Sequence, residues 1–125
     1  MKRILVVEDK ATSRELLRTV LEQQGYAVEE ALDGEDALRQ IRANPPDLVL
    51  LDLQIPARDG YDVVREVRSD PRLTAMPVVA VTASAMHGDR EKVLAAGFTA
   101  YIAKPVSLVQ LRHEVNQLLK SNSGS

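Results

Sequence analysis

Short apolar runs alternate with longer amphipathic stretches along this chain of 125 residues. The runs are rich in Val, Leu and Ile, a composition typical of strands that are buried on both faces of a sheet. Each run is followed by a stretch with apolar residues at helical spacing. Five such units predict a parallel sheet with helices on both faces, an α/β fold. The predicted strands cover residues 4–7, 27–31, 48–51, 78–81 and 100–102.

Several helix ends are also predicted from local motifs. In the first helix, Thr12–Glu15 match a capping box, Leu16 is expected on the buried face, and Gly25 ends the helix. Asp33 and Ser107 are expected to cap the second and fifth helices, because short polar side chains accept hydrogen bonds from the first free backbone N–H groups.

The third and fourth helices carry weaker signals. The charged residues Arg65, Glu66 and Arg68 are expected to form a solvated face of the third helix. The fourth helix, predicted over residues 84–96, contains Gly88 and few large apolar residues, so we expect it to be loosely held. One domain accounts for residues 1–120, and residues 121–125 are expected to form a flexible tail.

Composition excludes several functional classes. The 16 Lys and Arg residues and 18 Asp and Glu residues give a formal charge of −2, so a basic nucleic-acid-binding face is not expected. No apolar run approaches the ~18 residues that span a membrane, and the first run ends in two acids rather than a signal-peptide cleavage site. The absence of cysteine excludes disulfides and thiolate zinc sites and is typical of a reducing compartment. We therefore expect a cytoplasmic protein.

Chemically active residues follow the predicted strands at their carboxyl ends. Glu8 and Asp9 come after the first strand, Asp52 after the third, Thr82 after the fourth and Lys104 shortly after the fifth. Because the carboxyl ends of parallel strands form the ligand crevice of open α/β sheets, these side chains are expected to converge. Each residue alone has an ordinary interpretation as a helix cap, loop acid or turn residue. Their coincidence at one edge indicates a site.

This set of side chains predicts phosphoryl chemistry with a metal ion. Three close carboxylates repel one another and need a cation, and oxygen ligands with waters are the usual environment of Mg²⁺. With the ion bound, one carboxylate can act as a nucleophile and form an acyl phosphate. A hydroxyl and an ammonium group can then bind the phosphoryl oxygens.

In order along the chain, these motifs resemble those of the response regulator receiver domain, the family of the chemotaxis regulator CheY. The resemblance covers residues 3–120 and is strongest to DivK-type single-domain regulators and to hybrid-kinase receivers. It implies a doubly wound, five-stranded parallel sheet of order 2-1-3-4-5, the flavodoxin-like three-layer sandwich. The matching motifs are Ile4–Asp9, Leu50–Asp52, Ile55-Pro56, Asp59-Gly60, Val81–Ala83, Ala96-Gly97 and Tyr101–Pro105.

The resemblance also assigns the acidic site. It implies Asp52 as the phosphoacceptor. It implies a metal site formed by Glu8, Asp9, Asp52 and the backbone carbonyl of Gln54, with Mg²⁺ as the ion and Mn²⁺ as a substitute.

The same resemblance assigns the remaining site residues. Lys104 would contact the phosphoryl group, Thr82 would turn toward it, and Tyr101 would be the aromatic switch residue. The Lys104–Pro105 peptide bond would be cis, a geometry that is rare outside X-Pro bonds.

Three residues bear on how far the site follows the family's usual pattern. The side chain of Gln54 is expected to border the phosphoryl site, where it can affect hydrolysis by water. Lys10 stands where a small polar residue is frequent. We expect its ammonium group to form an ion pair with a site carboxylate. Arg58 stands where Met is frequent, in the loop after Asp52.

A signalling function is therefore expected rather than an enzymatic one, apart from the chain's own phosphorylation and dephosphorylation. The implied partners are a histidine kinase or histidine phosphotransfer protein as donor and a downstream protein as target, with no nucleic acid and no membrane. The chain would be a monomer or a weak phosphorylation-dependent dimer. It is compatible with both a stand-alone regulator and a receiver of a hybrid kinase.

Two other functions fit the sequence less well. A Mg²⁺ phosphatase of the haloacid-dehalogenase type also uses an Asp nucleophile, but that residue lies on the first strand within Asp-x-Asp, whereas Asp52-Leu53-Gln54 follows the third and lacks the second Asp. A flavodoxin-type nucleotide binder needs a phosphate-binding first loop. Here that loop reads Glu8-Asp9-Lys10 and has no glycine.

Overall fold

A computed structural model describes residues 1–83 and 89–121. Five parallel strands form one sheet in the order β2-β1-β3-β4-β5, which confirms the predicted topology. The strands are β1 (Arg3–Val7), β2 (Ala27–Ala31), β3 (Leu48–Asp52), β4 (Val78–Thr82) and β5 (Ala100–Ala103). The helices are α1 (Ala11–Gln23), α2 (Gly34–Ala43), α3 (Gly60–Ser69), α4 (Asp89–Ala95) and α5 (Leu108–Ser121), with a short 3-10 helix at Pro71–Leu73.

Helices cover both faces of the sheet, as the alternation of strands and helices predicts. Alternate residues of each strand point to opposite faces, and two apolar clusters result. One cluster joins the sheet to α1 and α5, and the other joins it to α2, α3 and α4. Every residue of β3 and β4 is buried, which explains their continuous apolar sequence. Within the described part of the chain, no helix is both long enough and apolar enough to cross a membrane.

The predicted start of α1 is wrong. The helix begins at Ala11 with Lys10 as its N-cap residue, and no side chain caps it. Thr12 therefore lies inside the first turn, where it cannot act as the N-cap of a capping box. Leu16 is also misassigned: its side chain is 49% exposed, because it lies at the margin of the stripe formed by the buried residues Leu17, Val20 and Leu21.

Other predicted helix ends agree with the structure. The carboxylate of Asp33 accepts a hydrogen bond from the N–H of Asp36, and the hydroxyl of Ser107 accepts one from the N–H of Gln110. Gly25 follows the C-cap of α1 with φ of 91°, in the left-handed region that favours glycine. At the other end of the chain, α5 includes Ser121, the first residue of the predicted tail, and residues 122–125 lie outside the described part.

Arg68 is not part of a solvated helix face, which corrects the expectation from its charged neighbours. Its guanidinium group donates to the carbonyl oxygens of Gly97 at 2.8 Å and Met76 at 2.7 Å. It also reaches the carbonyl of Leu73 at 3.2 Å and the hydroxyl of Thr99 at 3.2 Å. Arg68 thus joins the end of α3 to the connections that lead into β4 and β5.

The predicted fourth helix is only partly described. Residues 89–95 form α4, which contributes the buried side chain of Val93 to the core. Residues 84–88 of the prediction lie outside the described residues.

Candidate functional site

The sheet brings three polar side chains to its carboxyl edge. Asp52 and Thr82 are the last residues of β3 and β4, and Glu8 directly follows β1. All three are buried, with 4%, 2% and 1% of their surface exposed. Carboxylates are almost never fully buried without a partner, so this edge of the sheet is chemically unusual.

Lys104 supplies the partner for the two buried carboxylates. Its Nζ atom donates to Asp52 Oδ2 at 2.8 Å and lies 3.5 Å from Glu8 Oε2. Its backbone N–H donates to the carbonyl of Thr82 at 2.8 Å, which fixes the chain just after β5. The Lys104–Pro105 peptide bond is cis, as expected. One ammonium group therefore faces two carboxylates.

The two carboxyl groups differ strongly in acidity. Burial raises the pKa of Glu8 to about 7, and its hydrogen bond with Asp52 and the charge of that residue act in the same direction. Burial alone would also raise the pKa of Asp52. The pKa is nevertheless lowered, because Asp52 accepts hydrogen bonds from Glu8, from Lys104 and, at 2.9 Å, from the backbone N–H of Gln54. Asp52 is thus the ionised member of the pair at neutral pH.

The same pairing acts on the ammonium group. Burial would lower the pKa of Lys104, but its hydrogen bond and ion pair with Asp52, and the charge of Glu8, raise it overall. Lys104 therefore stays positively charged over the physiological pH range.

The residues at this edge fit a hard divalent cation. One ligand oxygen each from Glu8, Asp9 and Asp52 lies within 4.8 Å of the others. The Oε1 atom of Glu8 is buried and has no hydrogen-bond partner among the described residues. A buried carboxylate oxygen without a donor is costly, and a metal ion would satisfy it. An all-oxygen set with an exposed member, Asp9, is the kind of site where Mg²⁺ keeps several waters.

Lys10 does not belong to this arrangement. The residue is exposed at the start of α1 and forms no ion pair with any residue in the described part. Its expected pairing with a site carboxylate is not observed in the structure.

Thr82 and Tyr101 lie on the sheet face that α2, α3 and α4 cover. Thr82 continues the alternation of Val78 and Ala80, which both belong to the apolar cluster on that face. Tyr101 is half-buried, packs against the same cluster, and is the register partner of Ala80 on β5. The two predicted switch residues thus share the face on which α4 packs.

An apolar groove beside the site is not predicted by the sequence. It has a volume of about 240 Å³ and lies between α1 and the connection from β5 to α5. The exposed side chain of Leu16 lines it, so the residue that departs from the predicted core borders the site instead. An apolar residue at the margin of a helical stripe is the only sequence signal for this groove. Its lining is Glu8, Ser13, Leu16, Leu17, Val81, Lys104, Pro105 and Val106.

Arg14 is a second residue whose role the sequence does not reveal. Its guanidinium group donates to the backbone carbonyl of Glu8 at 3.1 Å and lies 3.6 Å from the carboxylate of Glu30. Arg14 therefore joins α1 to the loop that carries the two acids.

Comparisons with known proteins agree with this geometry. The polar-differentiation response regulator DivK of Brucella anthropi is 36% identical over 118 residues, which are 94% of this chain and 96% of that protein. The signal receiver domain of a histidine kinase from Syntrophus aciditrophicus is 34% identical with a TM-score of 0.89, over 97% of this chain and 92% of that one. The receiver domain of a sensor histidine kinase from Pseudomonas aeruginosa, solved with a magnesium ion in its active-site cleft, is 34% identical with a TM-score of 0.87, over 95% and 98% of the two chains.

The family model of the response regulator receiver domain matches residues 4–116, which include β1 from Ile4 onward, all of β2 to β5 and every candidate site residue. The fold, the acidic edge and this match lead to one assignment: the chain belongs to the response regulator receiver domain family of two-component signalling.

Proposed function

We propose that the chain accepts a phosphoryl group from a phosphohistidine onto Asp52, in the presence of Mg²⁺, and thereby changes a surface that binds another protein. The observation that carries the proposal is the buried carboxylate of Asp52, held at 2.8 Å by Lys104 and grouped with Glu8 and Asp9 as candidate metal ligands.

In this proposal a carboxylate oxygen of Asp52 attacks the phosphorus atom. The P–N bond to the histidine breaks, a P–O bond to Asp52 forms, and the imidazole leaves with the electron pair of the broken bond. The lowered pKa of Asp52 keeps the nucleophile ionised. Bound Mg²⁺, held by Glu8, Asp9, Asp52 and the Gln54 carbonyl, would neutralise charge on the phosphoryl oxygens.

Lys104 has a second role in this scheme. Its ammonium group contacts Asp52 in the unphosphorylated protein and is already beside the phosphoryl position. It can therefore bind a phosphoryl oxygen without a large rearrangement, which is the preorganisation that favours phosphoryl transfer.

The apolar groove supports a protein as the phosphoryl donor. Glu8 and Lys104 line it together with Leu16, Pro105 and Val106. A histidine kinase or histidine phosphotransfer protein would cover these apolar side chains while its histidine reaches the site. Burial of such a patch favours association with a protein surface.

Phosphorylation would be transmitted through Thr82 and Tyr101. The modification adds about two negative charges and three acceptor oxygens at Asp52. A turn of the Thr82 hydroxyl toward them would change packing on the face that carries Tyr101 and α4. That change would alter the surface available to a downstream protein.

The phosphoacceptor is tested with acetyl phosphate and Mg²⁺ as the small-molecule donor. Mass spectrometry should find one added phosphoryl group in the natural chain and none in the Asp52→Asn variant. A phosphoryl group mapped to another residue in that variant would contradict the assignment. Failure to turn over nitrophenyl phosphate would separate a receiver from a phosphatase, and transfer from a panel of phosphorylated histidine kinases would identify the donor.

The switch is tested by NMR with beryllofluoride as a phosphoryl analogue. Amide shifts should change at Thr82, Tyr101 and the residues of α4 as well as at Asp52. Changes confined to residues that touch Asp52 would exclude this route of transmission.

A further inference from the structure

The loop after Asp52 contains a tight turn in an unusual conformation. The backbone N–H of Arg58 donates to the carbonyl of Pro56 at 2.8 Å, which closes a three-residue turn. Ala57, at its centre, has φ of 72°. Residues with a Cβ atom adopt this left-handed region at a cost, so the surrounding structure must hold the turn in place.

The first residue of α2 supplies one support. The N–H of Gly34 donates to the same Pro56 carbonyl at 3.3 Å. A Cβ atom at Gly34 would lie 2.7 Å from the Cβ of Arg58 and 2.8 Å from its carbonyl oxygen. The turn is therefore packed directly on the backbone of α2, and glycine is required there for this close approach.

The side chain of Arg58 supplies the other support. Its Nε atom lies 2.7 Å from the carboxylate of Glu35 on α2, and its Nη1 atom is bonded to the carboxylate of Glu66 on α3. Glu66 is also 3.4 Å from Arg42. One guanidinium group thus joins two helices across the turn. The pair with Glu35, whose side chain is 59% exposed, is the more strongly screened by solvent, and the pair with Glu66, where the side chains are 34% and 36% exposed, is the better shielded of the two.

The same loop is joined to the acidic site. It begins at Asp52, whose Oδ1 atom accepts the N–H of Gln54 at 2.9 Å. It closes where the N–H of Gly60 donates to the carbonyl of Leu53 at 3.3 Å. Gln54 lies in this closed loop between Asp52 and the turn, so its backbone position depends on where the turn is held.

We infer that Arg58 is a positioning residue for the metal site: by joining Glu35 and Glu66 it holds the turn that sets the backbone of Gln54. The inference rests on the proposed function, in which the Gln54 carbonyl is a Mg²⁺ ligand. Arg58 touches neither the ion nor the phosphoryl group in this account, and it acts through the loop.

The test is a titration of the full chain with MgCl₂, followed through the amide shifts of Asp9 and Asp52. The Arg58→Gln variant, which removes the charge and cannot join both carboxylates, should bind Mg²⁺ about fivefold more weakly, equivalent to ~1 kcal/mol. The direction of the change is diagnostic. Removal of a positive charge would by electrostatics alone strengthen binding of a cation, so weaker binding indicates loss of the positioned loop.

Two further variants complete the experiment. Arg65→Gln removes the same charge from an exposed pair with Asp62 at 2.6 Å, where both side chains are well exposed, and should leave Mg²⁺ affinity unchanged or slightly higher. Arg58→Lys keeps the charge, but a single ammonium group cannot reproduce the planar fork that joins two carboxylates. The Mg²⁺ affinity of Arg58→Lys should lie between those of Arg58→Gln and the natural chain.

The outcomes separate the inference from the function on which it rests. Unchanged or tighter Mg²⁺ binding in a folded Arg58→Gln variant, with normal binding by the natural chain, overturns the positioning role alone. Absence of Mg²⁺ binding at Asp9 and Asp52 in the natural chain overturns the metal site and the positioning role together. Weaker binding in Arg58→Gln, with unchanged binding in Arg65→Gln, supports the inference.

Discussion

Two half-buried cationic side chains, Lys104 and Arg68, lie at opposite edges of the sheet, and their surroundings differ. At the carboxyl edge, Lys104 faces the carboxylates of Asp52 and Glu8, and one Glu8 oxygen has no hydrogen-bond partner among the described residues. At the amino edge, Arg68 donates to backbone carbonyls and to the hydroxyl of Thr99. The first arrangement holds an excess of negative charge, and the second is satisfied by neutral acceptors.

We infer from this difference that the carboxyl edge serves the chemistry of the site and that the amino edge stabilises the fold. An unsatisfied buried acid costs folding free energy, and proteins retain such groups where function needs them. A guanidinium group that donates to backbone carbonyls and a hydroxyl stabilises the chain connections around it. Variants at the two edges should therefore change stability in different ways.

The largest effect is expected at the amino edge. Arg68→Ala leaves the carbonyls of Gly97 and Met76 without their donor and removes the link between α3 and the connections that lead into β4 and β5. We expect the free energy of unfolding to fall by about 3 kcal/mol, because each buried acceptor left unsatisfied costs about 1–3 kcal/mol. Urea denaturation followed by circular dichroism measures this. As a control, Arg65→Ala, on the exposed side of the same helix, should change stability by less than about 0.5 kcal/mol. An equal loss in both variants would show that the hydrogen bonds of Arg68 do not stabilise the amino edge.

Removal of the cation at the carboxyl edge should have the next largest effect. Lys104→Met leaves Asp52 and Glu8 to repel each other, so without metal at pH 8 unfolding should become easier by about 2 kcal/mol. Saturating MgCl₂ should restore part of this loss, since a divalent ion replaces the missing charge. Thermal denaturation with and without Mg²⁺ measures both. If MgCl₂ stabilised the variant no more than the natural chain, Mg²⁺ would not be replacing the charge of Lys104 beside Asp52 and Glu8.

Replacement of Glu8 should change stability in the opposite direction and make the chain more stable. Its pKa is about 7 in the folded protein and near 4.5 when unfolded, so the folded protein binds the extra proton between these values. Stability from this group is therefore present below about pH 4.5 and is lost as the pH rises to 7. At pH 8 without metal, Glu8→Gln should stabilise the chain by about 1–2 kcal/mol. At pH 4 the gain should vanish, and a gain of equal size at both pH values would exclude titration of Glu8 as its cause.

The strand ends explain why much of the site could be predicted from the sequence. Asp52 and Glu8 follow apolar runs whose pattern is local, and parallel topology then brings them to one edge. The role of Arg68 could not be predicted from a local pattern, because its acceptor at Gly97 lies 29 positions further along the chain. The charged neighbours of Arg68 in the sequence predicted a solvated face, whereas in the folded structure its guanidinium group lies among backbone carbonyls.

The start of α1 shows a second limit of local patterns. Thr12–Glu15 satisfy the capping-box spacing, but the first backbone bond of the helix already runs from the N–H of Arg14 to the carbonyl of Lys10 at 3.0 Å. The short connection from β1 sets the helix start, and the motif lies within the first turn. The exposure of Leu16 beside the groove likewise depends on Pro105 and Val106, which only the fold brings near.

The smallest effect should come from the edge of the Arg68 cluster. The hydroxyl oxygen of Thr99 accepts from Arg68 at 3.2 Å and from the backbone N–H of Val78 at 3.1 Å. Thr99→Val keeps the shape but removes the acceptor, so we expect a loss of about 1 kcal/mol in unfolding free energy. In the Arg68→Ala background the same change should cost less, because one of the two donors is already absent. A double-mutant cycle by urea denaturation measures this coupling, and strictly additive losses would show that Thr99 stabilises the start of β4 independently of Arg68.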